Sequence, residues 1–174
     1  GPPTWDVAPS DQSTLEDAAF NYTIAATDPN GDTVSYSIVA VSTTCDSSSS
    51  WSTSLTIGSV SGIISGVPVN SDVGACDITV RASAGGDHIT AIFELTINNA
   101  PDAPTWVSEI VDFNQEVGQA LSGVSTLAED VDAGDTPTYS LDFSNMTCDD
   151  GSWAPQVTVN SSTGALTGTP RVED

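Results

Sequence analysis

The chain of 174 residues carries 24 acidic side chains against two arginines and no lysine, a formal net charge of −22. A surface of that sign repels nucleic acid and anionic membranes, and it attracts divalent cations. No apolar run of about 20 residues exists to insert in a bilayer.

In chain order, "PPTWDVAP" opens the sequence, and "DPNGD" (28–32) is the first cluster of turn residues. Apolar residues then alternate with period two at Tyr36, Ile38 and Ala40, and again at Leu55 and Ile57. The first run is bounded by "CDSSSS" and the second by "GSVSG". After "NSDVG", the run "CDITVRA" puts Cys76, Ile78, Val80 and Ala82 on one face. After "GGD", "IFELTI" points Phe93, Leu95 and Ile97 one way and Glu94 and Thr96 the other. Such alternation is the strand signal, and no stretch keeps helical spacing over three turns. Several short strands per ~100 residues read as a β-sandwich of immunoglobulin-like size. "NNAPDAP" (98–104) is the boundary, a short connection stiffened by proline.

Beyond that boundary the sequence repeats. "APTWVSEI" (103–110) restates the opening, with Trp5 and Trp106 101 residues apart. "DTVSYSI" (32–38) matches "DTPTYSL" (135–141), and "TTCDSSSSWSTSLTI" (43–57) matches "MTCDDGSWAPQVTV" (146–159). "GSVSGIISGVPVNSD" (58–72) matches "NSSTGALTGTPRVED" (160–174). Residues 73–100, with the two clearest strand patterns, have no counterpart. The expectation is all-β: two sandwiches stacked end to end, residues 1–101 and 102–174, the second lacking about its last two strands. Its open strand edges predict strand exchange or homo-oligomer formation.

Cys45 and Cys148 hold the same repeat position, and Cys76 lies in the unmatched segment. One disulfide per repeat follows, Cys45 with Cys76, which implies an oxidising, extracellular setting. The rival, a redox or metal role, has no CxxC pair and only His88 to support it.

"VSGIISGVP" and "STGALTGTP" resemble the S/T-G-x-(I/L)-(S/T)-G-x-P signature of bacterial and dystroglycan-type cadherin-like (Ig-like) domains. "EDAAFNYTIAATDPNGDTVSYSI" is similar to their opening strands, and "FELTINNAPDAP" to their closing strand and linker. The resemblance covers all of the first repeat and the available part of the second. It implies tandem repeats of a secreted or cell-surface protein, rigidified at their joints by Ca²⁺ and extending or presenting an adhesive region. Neighbouring repeats, and a glycan or protein receptor, are the partners it implies.

Calcium takes oxygen ligands from flexible loops. By the resemblance, the joint would use Glu129, Asp130, Asp132 and Asp135 of "AEDVDAGD", Asn99 and Asp102 of the linker, and Glu16 of "TLEDAAF". A weaker site at the start of repeat one would use Asp28, Asn30, Asp32 and Asp87. "DPNGD" is not a helix-hand calcium loop, because its glycine comes two residues early and Val39 stands where a bidentate Glu belongs. It also suits a tight turn with no ion. The linker departs from the acidic pattern of true cadherins. Trp51 and Trp153, equivalent in the repeat, either pack over the disulfide or stack on sugar rings; the second makes this a carbohydrate- or peptide-binding module. No nucleophile elbow or Ser-His-Asp order stands out, so the expectation is a non-enzyme.

Overall fold

The computed structural model describes residues 1–42, 55–144 and 156–171. By contacts, the chain divides into two compact units, Gly1–Ala100 and Pro101–Asp174. Cys45, Trp51, Cys148 and Trp153 lie outside the described residues.

Unit 1 is built on a long hairpin, β8 (Gly74–Ala84) and β9 (Asp87–Asn98), the two segments with the clearest alternation. Gly85 and Gly86 join them with φ of 58° and 90°, the left-handed pair that a two-residue hairpin needs to match strand twist. β5 (Ser35–Val41) pairs antiparallel with β8, and β2 (Gln12–Leu15) pairs parallel with β9, giving the order β2-β9-β8-β5. Facing it is the sheet β3-β7-β6, from Phe20–Thr23, Ile63–Gly66 and Thr56–Ile57. β1 (Thr4–Val7) and β4 (Ala25–Thr27) form a third, two-stranded piece.

Between the layers lie Phe20, Ile24, Leu55 and Ile64 on one side, and Cys76, Ile78, Val80, Phe93, Leu95 and Ile97 on the other. Every second residue of β8 from Cys76 to Ala84 is buried, as period two requires. Trp5, Tyr36, Ile38 and Ile57 pack against this core from its margin. Tyr22 meets Phe93 edge to face, with ring centroids 5.3 Å apart.

Among its described residues, unit 2 repeats the local geometry of unit 1 without the hairpin sheet. β10 (Thr105–Ser108) pairs with β11 (Leu127–Glu129) in the register of β1 with β4, down to the irregularity after the tryptophan. β12 (Thr158–Val159) pairs with β13 (Leu166–Thr167), and Ser125 bridges Ala165. The Tyr36 hydroxyl accepts from the Ala26 N–H at 2.9 Å, and the Tyr139 hydroxyl accepts from the Ala128 N–H at 2.9 Å. Gly62 and Gly164 both have φ of 67°. A Cβ on either would strike a carbonyl oxygen, of Ile24 or Thr126 respectively. The match between 32–38 and 135–141 does not extend to secondary structure, since no strand forms at 135–141. Trp106, the counterpart of the core-packed Trp5, is 58% exposed.

Candidate metal-binding sites

In unit 1, the residues 28–32 close on themselves. The Asp28 carbonyl accepts from the Gly31 N–H at 3.1 Å, and Asp28 Oδ1 accepts from the N–H groups of Asn30 (2.8 Å) and Asp32 (3.3 Å). This is the Asx turn that aspartate forms readily, fixed here by Gly31 at φ 78°. Asp28 is 5% exposed, and its Oδ2 is buried without a hydrogen-bond partner. Asn30, Asp32 and Asp87 are exposed. The Asp32 carboxylate fills the space beside Gly85 at the β8–β9 tip, which Asp87 also borders. Among the described residues, Asp28, Asp32 and Asp87 do not converge into a three-carboxylate cluster.

The opposite pole of unit 1 holds Glu16, 1% exposed. Its N–H donates to the Asn98 carbonyl at 3.0 Å, and its Oε1 accepts from the Ala100 N–H at 3.0 Å. Oε2 is buried with no hydrogen-bond partner. The next residue, Asp17, takes a left-handed φ of 58° and donates its N–H to the Pro68 carbonyl. Beside Pro68, Asp72 is fully buried in a short 3₁₀ turn (Asn70–Asp72), its Oδ2 accepting from the Val69 N–H at 2.8 Å. No motif in the sequence singles out Asp72. Its one signal in the sequence is an acid just before the long strand β8, restated at Asp174. Asn99 is exposed on the strand-to-linker path.

Unit 2 brings its acids together. One carboxylate oxygen each of Asp130, Asp132 and Asp135 lies within 4.8 Å of the others. The Asp132 N–H donates to Asp130 Oδ1 at 2.9 Å, and the Asp135 N–H donates to the Asp132 carbonyl at 3.1 Å. Asp132 is 4% exposed, and its Oδ2 accepts from the Asp102 N–H at 2.8 Å. Glu129 is exposed at the end of β11 and stays outside the three-acid group. Carboxylates this close repel one another, and a divalent cation converts the repulsion into coordination. The donor set is all oxygen, which suits a hard cation of the calcium type.

Cys76 is fully buried in the unit 1 core, while its expected partner Cys45 lies outside the described residues. His88 sits on β9 opposite Ser83 and is exposed. Among the described residues, no helix is long and apolar enough to cross a membrane.

A family model described as "Putative Ig domain" matches residues 2–98. No curated protein is similar to the chain. Among solved structures, human protocadherin-24 EC1-2 (form II) is similar over 98% of this chain and 78% of its own, at TM-score 0.57 and 14% identity. Drosophila N-cadherin EC1-4 is similar over 99% of this chain and 42% of its own, at TM-score 0.51 and 17% identity. The protocadherin GammaB4 extracellular domain is similar over 99% and 29%, at TM-score 0.50 and 19% identity. The chain therefore spans less than half of the last two. At such identities the likeness speaks for the fold alone: an all-β sandwich of cadherin and Ig type.

Proposed function

From the premise that the chain belongs to the family described as "Putative Ig domain", we propose that it is a non-catalytic structural and adhesive module of an extracellular protein. Its tandem repeats are rigidified by Ca²⁺ and extend or present a binding region. The observation that carries this reading is the convergence of Asp130, Asp132 and Asp135 around the nearly buried Asp132. The unpartnered, buried Oε2 of Glu16 supports it from the other repeat. Bound calcium supplies six to eight oxygen positions, roughly, and so links carboxylates that would otherwise repel. The chain's own part is to hold them ready. The Asx turn at 130–132 orients Asp130 Oδ1, the Asp102 N–H holds Asp132 Oδ2, and the Ala100 N–H holds Glu16 Oε1. The Asp28 loop is a second, weaker calcium position, supported by its unpartnered Oδ2.

The test is a calcium titration of the whole chain, read by melting temperature and by small-angle scattering. Calcium should raise the melting temperature and narrow the distribution of end-to-end lengths. Asp132→Asn and Glu16→Gln should each weaken calcium binding at least ~10-fold, since affinity follows ligand charge. Unchanged melting and scattering at millimolar calcium would overturn the reading. Glycan binding lost on Trp51→Ala would replace it with a carbohydrate-binding module.

A further inference from the structure

Asn21-Tyr22-Thr23 is an Asn-x-Thr sequence, the acceptor pattern for N-linked glycosylation. It lies on β3, the outer strand of the sheet β3-β7-β6. Phe20 and Tyr22 belong to the core side of that strand, so Asn21 and Thr23 share the opposite face, and both are exposed. Among the described residues, neither of these two side chains makes a hydrogen bond. Asparagine is disfavoured in strands, so an idle one within β3 is not there for the sheet. At the 101-residue spacing the second repeat has Ser122 at this place, and the shared fold therefore does not call for asparagine. Asn160, which opens the similar Asn160-Ser161-Ser162, is the contrast. Its Oδ1 closes a turn by accepting from the N–H groups of Ser162 (2.9 Å) and Thr163 (3.0 Å). That role accounts for Asn160 without any sugar, and nothing among the described residues does the same for Asn21. The surface around Asn21 is open. Ser65 stands opposite it on β7, and Ile63, 41% exposed, stands opposite Thr23.

We propose that Asn21 is a modification site carrying an N-linked oligosaccharide, whose first sugar lies on the outer face of β3-β7-β6 over Ser65 and Ile63. The proposal rests on the extracellular placement given above and is independent of calcium. The co-reactant is an oligosaccharide linked through pyrophosphate to a polyprenyl lipid. Asn21 Nδ2 forms a bond to C1 of the first sugar and gives up one proton to a base of the transferase. The bond from C1 to the pyrophosphate oxygen breaks, and the lipid pyrophosphate leaves with the electron pair. Nothing is oxidised or reduced. Once unit 1 has folded, β3 is paired with β7 from Phe20 to Thr23. Transfer therefore precedes folding, and the folded unit displays the product on a face where no side chain must move to admit it. A bulky, hydrated chain on the outer strand also keeps that edge from pairing with another molecule.

The experiment translates the whole chain into the lumen of microsomes that hold the transferase and its lipid-linked donor. The chain carries Asn145→Gln and Asn160→Gln, so that Asn21 heads the one remaining acceptor sequence. Its mass should rise by one oligosaccharide, and an amidase that cleaves N-linked glycans should remove it and leave aspartate at position 21. Asn21→Gln and Thr23→Ala should each abolish the gain, and Thr23→Ser, which keeps the hydroxyl, should restore it. The glycosylated chain should melt at or above the temperature of the Asn21→Gln chain. Mass and peptide mapping read attachment directly, so failure of the calcium reading leaves this result untouched. An unmodified Asn21 in a chain that has entered the lumen overturns the proposal. So does a glycan that lowers the melting temperature, which would mean that the outer face of β3 does not accommodate it.

Discussion

Units 1 and 2 share their turns, their tyrosine hydrogen bonds and a two-strand register, yet among the described residues the buried apolar cluster lies in unit 1. The difference separates two kinds of instruction. Turns, bulges and left-handed glycines are set by residues a few positions apart, and they form in both units. A sheet needs partners far apart in the chain. Ser35–Val41 is a strand because Ile78–Ser83 lies beside it; its match at 135–141 has no such partner among the described residues and forms no strand. The apolar side chains show the same divide. Trp5 packs on a core, whereas Trp106 is mostly exposed and meets Tyr139 at 6.2 Å between ring centroids.

The largest test of this contrast is truncation on either side of it. Phe93→Ala should destabilise unit 1 by ~3–5 kcal/mol, the cost of a cavity at a fully packed site. Trp106→Ala should cost below ~1 kcal/mol, as for a surface position. Urea unfolding monitored separately in each unit would show both, and a Trp106 cost equal to that of Phe93 would mean unit 2 is closed. Next comes the expected Cys45–Cys76 pair. Reduction should lower unit 1 stability by ~3–4 kcal/mol, the entropy of closing a loop of that size, and leave unit 2 unaffected. An unchanged midpoint would remove the pairing. The smallest effect concerns what the units share. Tyr36→Phe and Tyr139→Phe should each cost ~1 kcal/mol, because each leaves a backbone N–H, of Ala26 or Ala128, without its acceptor. Unequal costs would show that the two tyrosines share geometry but not environment.

The long strands and the glycine hairpin were legible in the sequence, because alternation over Cys76–Ala82 and Phe93–Ile97 leaves few alternatives. Asp130, Asp132 and Asp135 also stand close together in the sequence, and the structure groups their carboxylates, whereas the equally close Asp28 and Asp32 join no such group. Three things were not legible. Asp72 gives no pattern that tells a buried, turn-closing acid from one of the many solvated ones. Glu129 looks like a member of its neighbours' cluster, but its place at the end of β11 keeps it out. Glu16 has no acid at its place in the second repeat: the left-handed turns at Asp17 and Gly118, both donating to a proline carbonyl, keep the 101-residue spacing of Trp5 and Trp106 and put Val117 there. Unit 2 therefore has an exposed valine where unit 1 buries a carboxylate.

β2 and β9 lie near the two ends of unit 1 and run parallel, with Gln12 opposite Leu95 and Leu15 opposite Asn98. Tension applied through the ends of the unit draws these strands past each other along their length. Their cross-links, with the Glu16 to Asn98 bond beyond them, are then loaded together rather than opened one at a time. A pair loaded this way yields at a higher force than a hairpin unzipped from its tip, and its lifetime under load follows the unfolding rate. The parallel pair is thus the clasp that would bear the pull if the module transmits tension between a surface and whatever it holds.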